Sequence, residues 1–342
     1  MNVRILNNRN EEELIKWNEF ALQKNYLYFH SHWSEIISSV YGFKPYYLYI
    51  EDSGNIQSVF PLFHVKFSFF KDELVSVPHL ESGGMSNPEH YLLYFDFIGK
   101  KKITENIKIY QLNEPLEKFI ANVEDVVVVK ELPEKKEFII SSIKSATTRN
   151  YMRRVLEKDF KIISENSRTA LNEFYKVYLQ RMREFGTPAH RFEYIEKIAN
   201  LFKDETRILI VKKYDDVVGA SFYILFGEHL YNLYLVVPDM YLKEKVVYLI
   251  QYKAMEMGIE NQMKKIVLGR STKNSGTFFY KTELGGIPVQ LYLYNFRLAA
   301  DGYNSIYTQS IKEKYSFASK IWSKLPPFIT DKAGPFIRKW IY

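Results

Sequence analysis

The stretch KKIVLGRSTKNSGTFFYKTELGG, residues 264–286, decides how the rest of the chain is read. Ile266, Val267 and Leu268 follow Lys264 and Lys265 as a short apolar run, the pattern of a buried strand. Gly276 and Gly285 punctuate the residues after that run, and Thr277 stands where it can cap a helix over Phe278 to Leu284. Gly269, Arg270, Ser271, Ser275, Tyr280 and Lys281 are thus gathered around one strand-to-helix junction. Backbone N–H groups and positive charge at such a junction favour an anionic or carbonyl ligand. The plain alternative is an ordinary turn carrying a surface Arg.

Upstream, one pattern occurs twice. Pro45 to Ile50 and Ile56 to Val65 are extended runs flanking the polar turn Glu51–Asn55. Thr206 to Val211 and Val217 to Phe226 flank Lys213–Asp216 in the same way, and Leu230 to Val236 adds a third run. Each pair reads as an antiparallel hairpin. Helical sequence precedes both: Glu11 to Lys24 and His32 to Tyr41 in front, Leu171 to Phe185 and Phe192 to Phe202 behind. A further helix is expected over Lys243 to Met257, ended by Gly258. The plan is α+β with mixed sheets, and its repetition argues for internal duplication. Between the halves, Ile139 to Lys161 reads as a basic helix bearing Lys144, Arg149, Arg153, Arg154 and Lys158.

A length of 342 residues suits two domains of about 150 residues each. The net charge of +7 is compatible with an anionic partner such as RNA, a phosphorylated cofactor or lipid headgroups. With no cysteine there is no disulfide, thiolate metal site or Cys nucleophile. His30 and His32 lack a third ligand nearby, so no metal is expected. Met1–Arg4 lead directly into acidic helical sequence and no run of about 18 apolar residues occurs, so no leader or membrane span is expected. A cytoplasmic location is the resulting expectation. In the tail, Ile311, Tyr315, Ala318 and Trp322 form one apolar stripe, and Ile329, Ala333, Phe336, Ile337 and Trp340 a second flanked by Lys332, Arg338 and Lys339. Such a segment either packs across the second domain or touches the inner face of the cytoplasmic membrane.

An ordered set of segments carries a family resemblance. These are Leu74–Pro78 with Gly83–Gly84, Arg149–Arg154, Met182–Pro188, Gly269–Arg270–Ser271, Ser275–Gly276–Thr277, Tyr280–Lys281 with Gly285, and Trp322–Pro326 with Gly334–Pro335. On these the chain resembles the FemA/FemB-like (FemAB) branch of the GNAT acyltransferases, and more narrowly the FemAB-type proteins that accompany exopolysaccharide and exosortase loci. The resemblance runs from about Phe29 to Trp340. It implies two tandem GNAT-like domains, here 1–140 and 141–300 with the catalytic site in the second, and an amphipathic helical tail at 301–342. It further implies transfer of an acyl or aminoacyl group to an amine of a cell-envelope saccharide or peptide precursor.

The best-studied relatives use aminoacyl-tRNA and carry a Lys in a Phe-Lys pair near the reacting centre. Here that pair is Tyr280–Lys281. The resemblance therefore assigns Lys281 to the developing oxyanion, with Tyr280 beside it as the second catalytic residue. Arg270, Ser271, Ser275 and Thr277, the Ser82–Gly83–Gly84 loop, and Arg149 and Arg153 are its substrate-binding candidates. Val267 departs from the pattern, since many relatives have Asp there. General-base candidates are Glu184, Glu244, Glu283, Asp239, His79 and His190, none distinguished by spacing.

No permanently bound cofactor is implied, and the donor is either aminoacyl-tRNA or acyl-CoA (or another acyl carrier). The stretch Val236 to Lys245 has no Gly, unlike the usual pyrophosphate loop of CoA-binding GNAT domains. tRNA is a candidate partner that suits the basic junction. Two rival readings are a non-catalytic GNAT-fold binding protein of polysaccharide assembly, favoured by Val267, and an RNA-binding protein, supported by charge alone.

Overall fold

The computed structural model describes residues 2–67, 71–299, 302–306 and 318–341. Along the chain run β1 (Asn2–Ile5), α1 (Glu11–Gln23), α2 (His32–Tyr41), β2 (Lys44–Asp52), β3 (Asn55–Phe67), β4 (Lys71–Ser76), α3 (Tyr91–Lys100), β5 (Asn106–Leu112) and β6 (Asp125–Glu131). Next come α4 (Ala146–Leu156), β7 (Lys161–Glu165), α5 (Arg168–Glu184), α6 (Phe192–Leu201), β8 (Thr206–Lys213), β9 (Asp216–Phe226), β10 (His229–Val236) and α7 (Val246–Glu260). The last elements are β11 (Lys265–Thr272), α8 (Gly276–Glu283), β12 (Ile287–Ala299), β13 (Gly302–Ser305) and α9 (Pro327–Arg338). Two compact units result. The first comprises 1–127, 270–273 and 289–310, and the second comprises 128–269, 274–288 and 311–342.

The first unit holds a mixed sheet in the order β1-β2-β3-β4-β5-β12, with β13 on β12. Its pairs are antiparallel except β4 and β5, which run parallel at Leu74↔Ile107 and Val75↔Lys108. The strands are buried on both faces. Leu48, Ile50, Phe60 and Leu62 pack with Tyr94 and Ile98 of α3, while Tyr47 and Tyr49 meet Trp17 of α1. Asn10 caps α1 by accepting from Glu13 N–H, and Glu11, Glu12 and Glu13 complement the helix dipole.

The second unit repeats the scheme. β7, β8, β9 and β10 pair antiparallel in that order, and β10 then runs parallel to β11. Each unit has a helix pair between its first two strands and one helix before its parallel step, α1/α2 and α3 in one, α5/α6 and α7 in the other. The duplicated plan read from the two hairpins is therefore present, with the α+β class and mixed sheets. Phe222 of β9 packs on Phe174 of α5, and Tyr234 of β10 on Phe174 and Tyr178.

Several local expectations are corrected. The basic helix expected over Ile139 to Lys161 is only Ala146–Leu156: Ser145 caps it by accepting from Thr148 N–H, and from Lys161 the chain pairs as a strand with β8. Gly258 does not end α7 but lies inside it, where a Cβ would stand 2.7 Å from Leu132 Cδ1; the helix ends at Asn261. The strand expected over Ile266–Leu268 runs on through Arg270 and Ser271 to Thr272. Ile311 and Tyr315 of the expected first tail stripe lie outside the described residues. No helix among the described residues is long and apolar enough to cross a membrane.

Candidate active site

In the second unit, β10 and β11 pair only at His229↔Lys265, Leu230↔Ile266 and Tyr231↔Val267, although both strands continue. Immediately beyond, the register of β10 on β9 shifts between Asn232 and Tyr234. A parallel pair that stops pairing beside a bulge opens backbone groups and side chains to a ligand. Asn232, the first residue past the last pair, stands opposite Tyr223 of β9.

The surroundings of Asn232 are polar and buried. Asn232 Oδ1, Tyr223 Oη, Ser221 Oγ, Gln251 Oε1 and Tyr280 Oη are all inaccessible to solvent and make no well-formed hydrogen bond, though Gln251 faces the Tyr280 hydroxyl and Ser221 that of Tyr223. The Tyr280 phenol, on α8, is pushed well above its ordinary pKa by burial, and the electrostatic influence of Tyr223 and Tyr248 adds to this. Its ring lies 5.6 Å from that of Tyr248, which is 5.5 Å from Tyr151, and Lys245 Nζ stands 4.4 Å over Tyr151. Uncompensated buried hydroxyls and amides are costly in a finished core, so a cluster of them marks a place that receives polar atoms.

The helix that carries Tyr280 is capped by Ser275, whose hydroxyl accepts from Phe278 N–H, and not by Thr277. Thr277 is exposed, with its hydroxyl 3.0 Å from that of Ser275. Lys281 is half-buried in the last turn of α8, not at its start, so the positive end of the helix dipole does not reinforce it. Glu283 accepts from the Thr148 hydroxyl at 3.2 Å and ties α4 to α8. Arg149 Nη1 donates to the carbonyls of Ile143 and Lys144, and Arg153 Nη1 to Asn150 Oδ1.

The general-base candidates are mostly held in pairs. Glu184 pairs with Arg181 at 2.9 Å and accepts from Asp239 N–H, while Asp239 pairs with Arg181. Lys213 and Lys158 hold the Glu244 carboxyl below its usual range, the Lys213 hydrogen bond contributing most. His190 Nε2 accepts from Arg338 Nε.

The first unit carries a separate cavity. It encloses about 240 Å³ and is lined chiefly by Tyr26, Phe29, Gly83, Met85, Gln111 and Asn113. Tyr26 donates to Ser82 Oγ at 2.6 Å, and Tyr28 to Glu81 Oε2 at 3.1 Å. Gly83 N–H donates to Tyr110 O, and Gly84 has φ +94 with its Cα against Gln111, where a Cβ would collide with the amide. Arg270 braces this loop: Nε and Nη2 donate to Glu81 O at 2.9 and 2.7 Å, Nη2 also to Leu80 O at 3.0 Å, and the guanidinium lies 4.8 Å over Tyr110. Ser271 beside it is buried, and its hydroxyl makes no hydrogen bond.

Reasoning from the sequence picked out Tyr280 and the Ser82–Gly84 loop but missed Tyr26, Gln111, Tyr223, Asn232 and Gln251. The signal open to it was a polar residue inside an apolar run, as with Asn232 in HLYNLYLV and Gln251 in VVYLIQYKAM. It also missed Lys130, 4% exposed on β6, whose ammonium donates to Ser142 O at 3.1 Å and is lowered in pKa by burial. Among the described residues no three His, Asp or Glu side chains come together as metal ligands.

Comparison with known proteins places this arrangement. Residues 144–282 match the family model of the acetyltransferase (GNAT) domain, so the second unit carries a GNAT domain. The fold of the chain is similar to that of FemX, at TM-score 0.62 and 12% identity over 86% of this chain and 97% of that one. L-PGS from Bacillus licheniformis is similar at TM-score 0.55 and 14% identity, covering 92% of this chain and 98% of that one. A tandem GNAT protein from the clavulanic acid biosynthesis pathway matches at TM-score 0.54 and 8% identity, over 86% and 98% of the two chains. No curated protein matches the sequence.

Proposed function

We propose that the chain is an N-acyltransferase that moves an acyl or aminoacyl group from an activated donor onto an amine of a cell-envelope saccharide or peptide precursor. The observation that carries the reading is the buried Tyr280 hydroxyl, facing Gln251 without a well-formed hydrogen bond, inside the GNAT domain. The raised pKa keeps this phenol protonated at neutral pH, so it offers a hydrogen-bond donor and does not act as a base.

The amine nitrogen attacks the donor carbonyl, a C–N bond forms, and the C–O or C–S bond to the leaving group breaks. Tyr280 donates a hydrogen bond to the departing oxygen or sulfur, which takes up the proton that the amine loses. Lys281, adjacent in sequence, supplies positive charge to the tetrahedral oxyanion. The lack of Gly in 236–245 favours an aminoacyl ester of tRNA over a CoA thioester as donor. On this reading the cavity beside Ser82–Gly84 recognises the acceptor, with Tyr26 and Phe29 as stacking faces and Asn113 as a polar contact, a set that suits a saccharide.

The test supplies acetyl-CoA, and separately a charged tRNA pool, with amine-bearing peptidoglycan or exopolysaccharide precursors, and looks by mass spectrometry for amide formation. Product with one donor class is expected. The second reading, a binding protein without catalysis, is favoured by Val267, an apolar buried residue where many of the resembled relatives have Asp. Precursor binding with no product from either donor would establish it.

A further inference from the structure

The C-terminal helix α9 has one face packed and one face bare. Thr330, 3% exposed, and Gly334, whose Cβ position would lie 3.4 Å from Ala189 N and 3.5 Å from the Trp322 ring, form the packed face. Arg338 anchors the end of the helix through its bond to His190. On the opposite side Phe328, Lys332 and Phe336 succeed one another at four-residue steps along a single stripe. Phe328 is 67% and Phe336 66% exposed, although the Arg191 guanidinium stands 5.0 Å over the Phe336 ring. Just before the helix, Lys320, Ile321 and Lys324 are also exposed. Residues 318–342 contain five basic side chains and one acidic, Asp331.

We infer that this stripe is a docking surface for an anionic lipid bilayer. Two exposed Phe rings on a helix that carries Lys332 and is flanked by Lys320, Lys324 and Lys339 match an interfacial segment, the rings entering the headgroup boundary and the cations meeting lipid phosphates. The position of Lys332 distinguishes the occupant. It lies midway between the two rings, where a protein partner would have to bury an ammonium at the centre of the contact, and interface cores are depleted in Lys. At a bilayer the same Lys lays its aliphatic stem along the apolar surface and keeps its charge among the headgroups. A second copy of the chain would bring the same lysines against one another. With 12 residues α9 is too short to span a bilayer, so the contact is peripheral.

The experiment is flotation of the full chain with vesicles of phosphatidylcholine alone and of phosphatidylcholine with phosphatidylglycerol, at low and high salt. The chain should float with the anionic vesicles only, and salt should release it. Lys332→Gln should weaken partition about five-fold, and Phe328→Ser with Phe336→Ser by about ten-fold or more. These side chains are exposed, so thermal unfolding of the variants should match wild type, which separates lost binding from lost folding. Trp17 and Trp33 are fully buried, so a blue shift in tryptophan emission on vesicle binding reports Trp322 and Trp340. Equal binding to neutral and anionic vesicles, or none to either, would overturn the inference. So would a dimer that the double Phe variant makes monomeric in the absence of any vesicle binding.

Discussion

Gln111 holds both backbone polar groups of Met85: its Oε1 accepts from Met85 N–H at 2.8 Å and its Nε2 donates to Met85 O at 3.1 Å. The side chain thereby does for the 83–86 loop what a neighbouring strand does for a ladder, and it forms part of the cavity wall. Gln111 is 3% and Met85 2% exposed, so water cannot replace these bonds. Gln111→Leu should destabilise the protein by about 2–4 kcal/mol, because two buried backbone groups lose their partners. Gln111→Glu keeps the acceptor but sets a buried carboxylate oxygen against Met85 O, so it should cost at least as much. Urea unfolding of the two variants checks both values.

Gly84 faces the same amide with a left-handed backbone. Gly84→Ala should destabilise by about 1–3 kcal/mol through strain and displacement of Gln111. If the cavity takes the acceptor, acceptor affinity should fall with it. A crystal structure of the variant should show the Gln111 side chain rotated away from Met85.

For Tyr280 the two readouts should move in opposite directions. Tyr280→Phe removes a buried hydroxyl that makes no well-formed hydrogen bond, so stability should be unchanged or rise slightly. Single-turnover transfer should nevertheless slow by about 10²-fold as the hydrogen-bond donor to the departing group is lost. A variant that is less stable and fully active would return Tyr280 to a packing role.

Lys281→Met should slow transfer by about 10²–10³-fold with little change in ground-state affinity, because the oxyanion exists only near the transition state. Arg270→Ala should behave otherwise. Its guanidinium donates to two main-chain carbonyls, so its loss should destabilise by about 1.5–3 kcal/mol and weaken acceptor binding by loosening the Leu80–Gly84 turn. Transfer rates and separately measured affinities for each variant distinguish the two residues.

His30 gives the fold an acid dependence. Burial, and then the neighbouring His32, push its pKa down to about 3 from the ordinary value of 6.5. The unfolded chain therefore binds the proton first as pH falls. The stability contribution is complete above 6.5 and is lost between 6.5 and about 3, at up to about 1.4 kcal/mol per pH unit. His30→Gln should flatten the stability–pH curve in that window by this slope, as measured by urea unfolding at a series of pH values.

Periodicity and turn chemistry alone determined a good deal. The alternation around Glu51–Asn55 and Lys213–Asp216 located β2/β3 and β8/β9 to within a few residues, and the apolar spacing of 11–24, 32–41 and 192–202 located α1, α2 and α6. Such signals are local: a hairpin closes over a few residues, and a helix face repeats every three or four. The same locality explains the misplaced ends. Gly258 is an ordinary helix stop by composition, and only its approach to Leu132 shows why it continues α7. Ser275 and Thr277 are equally good caps by residue type, and the backbone path chose the first.

Tertiary structure decided the site. Nothing in the spacing of Tyr223, Gln251 and Tyr280 says that a strand and two helices bring them together, or that their polar atoms are sealed from water. The parallel β10/β11 pair and its early end at Tyr231 and Val267 are equally non-local. Arg270 illustrates the difference. Its charge and its glycine neighbour were legible as a ligand clamp, whereas the carbonyls of Leu80 and Glu81 that it binds lie about 190 residues earlier. A residue's chemistry is written in its own side chain. What that chemistry acts on is set by whichever distant segment folding places within hydrogen-bonding range.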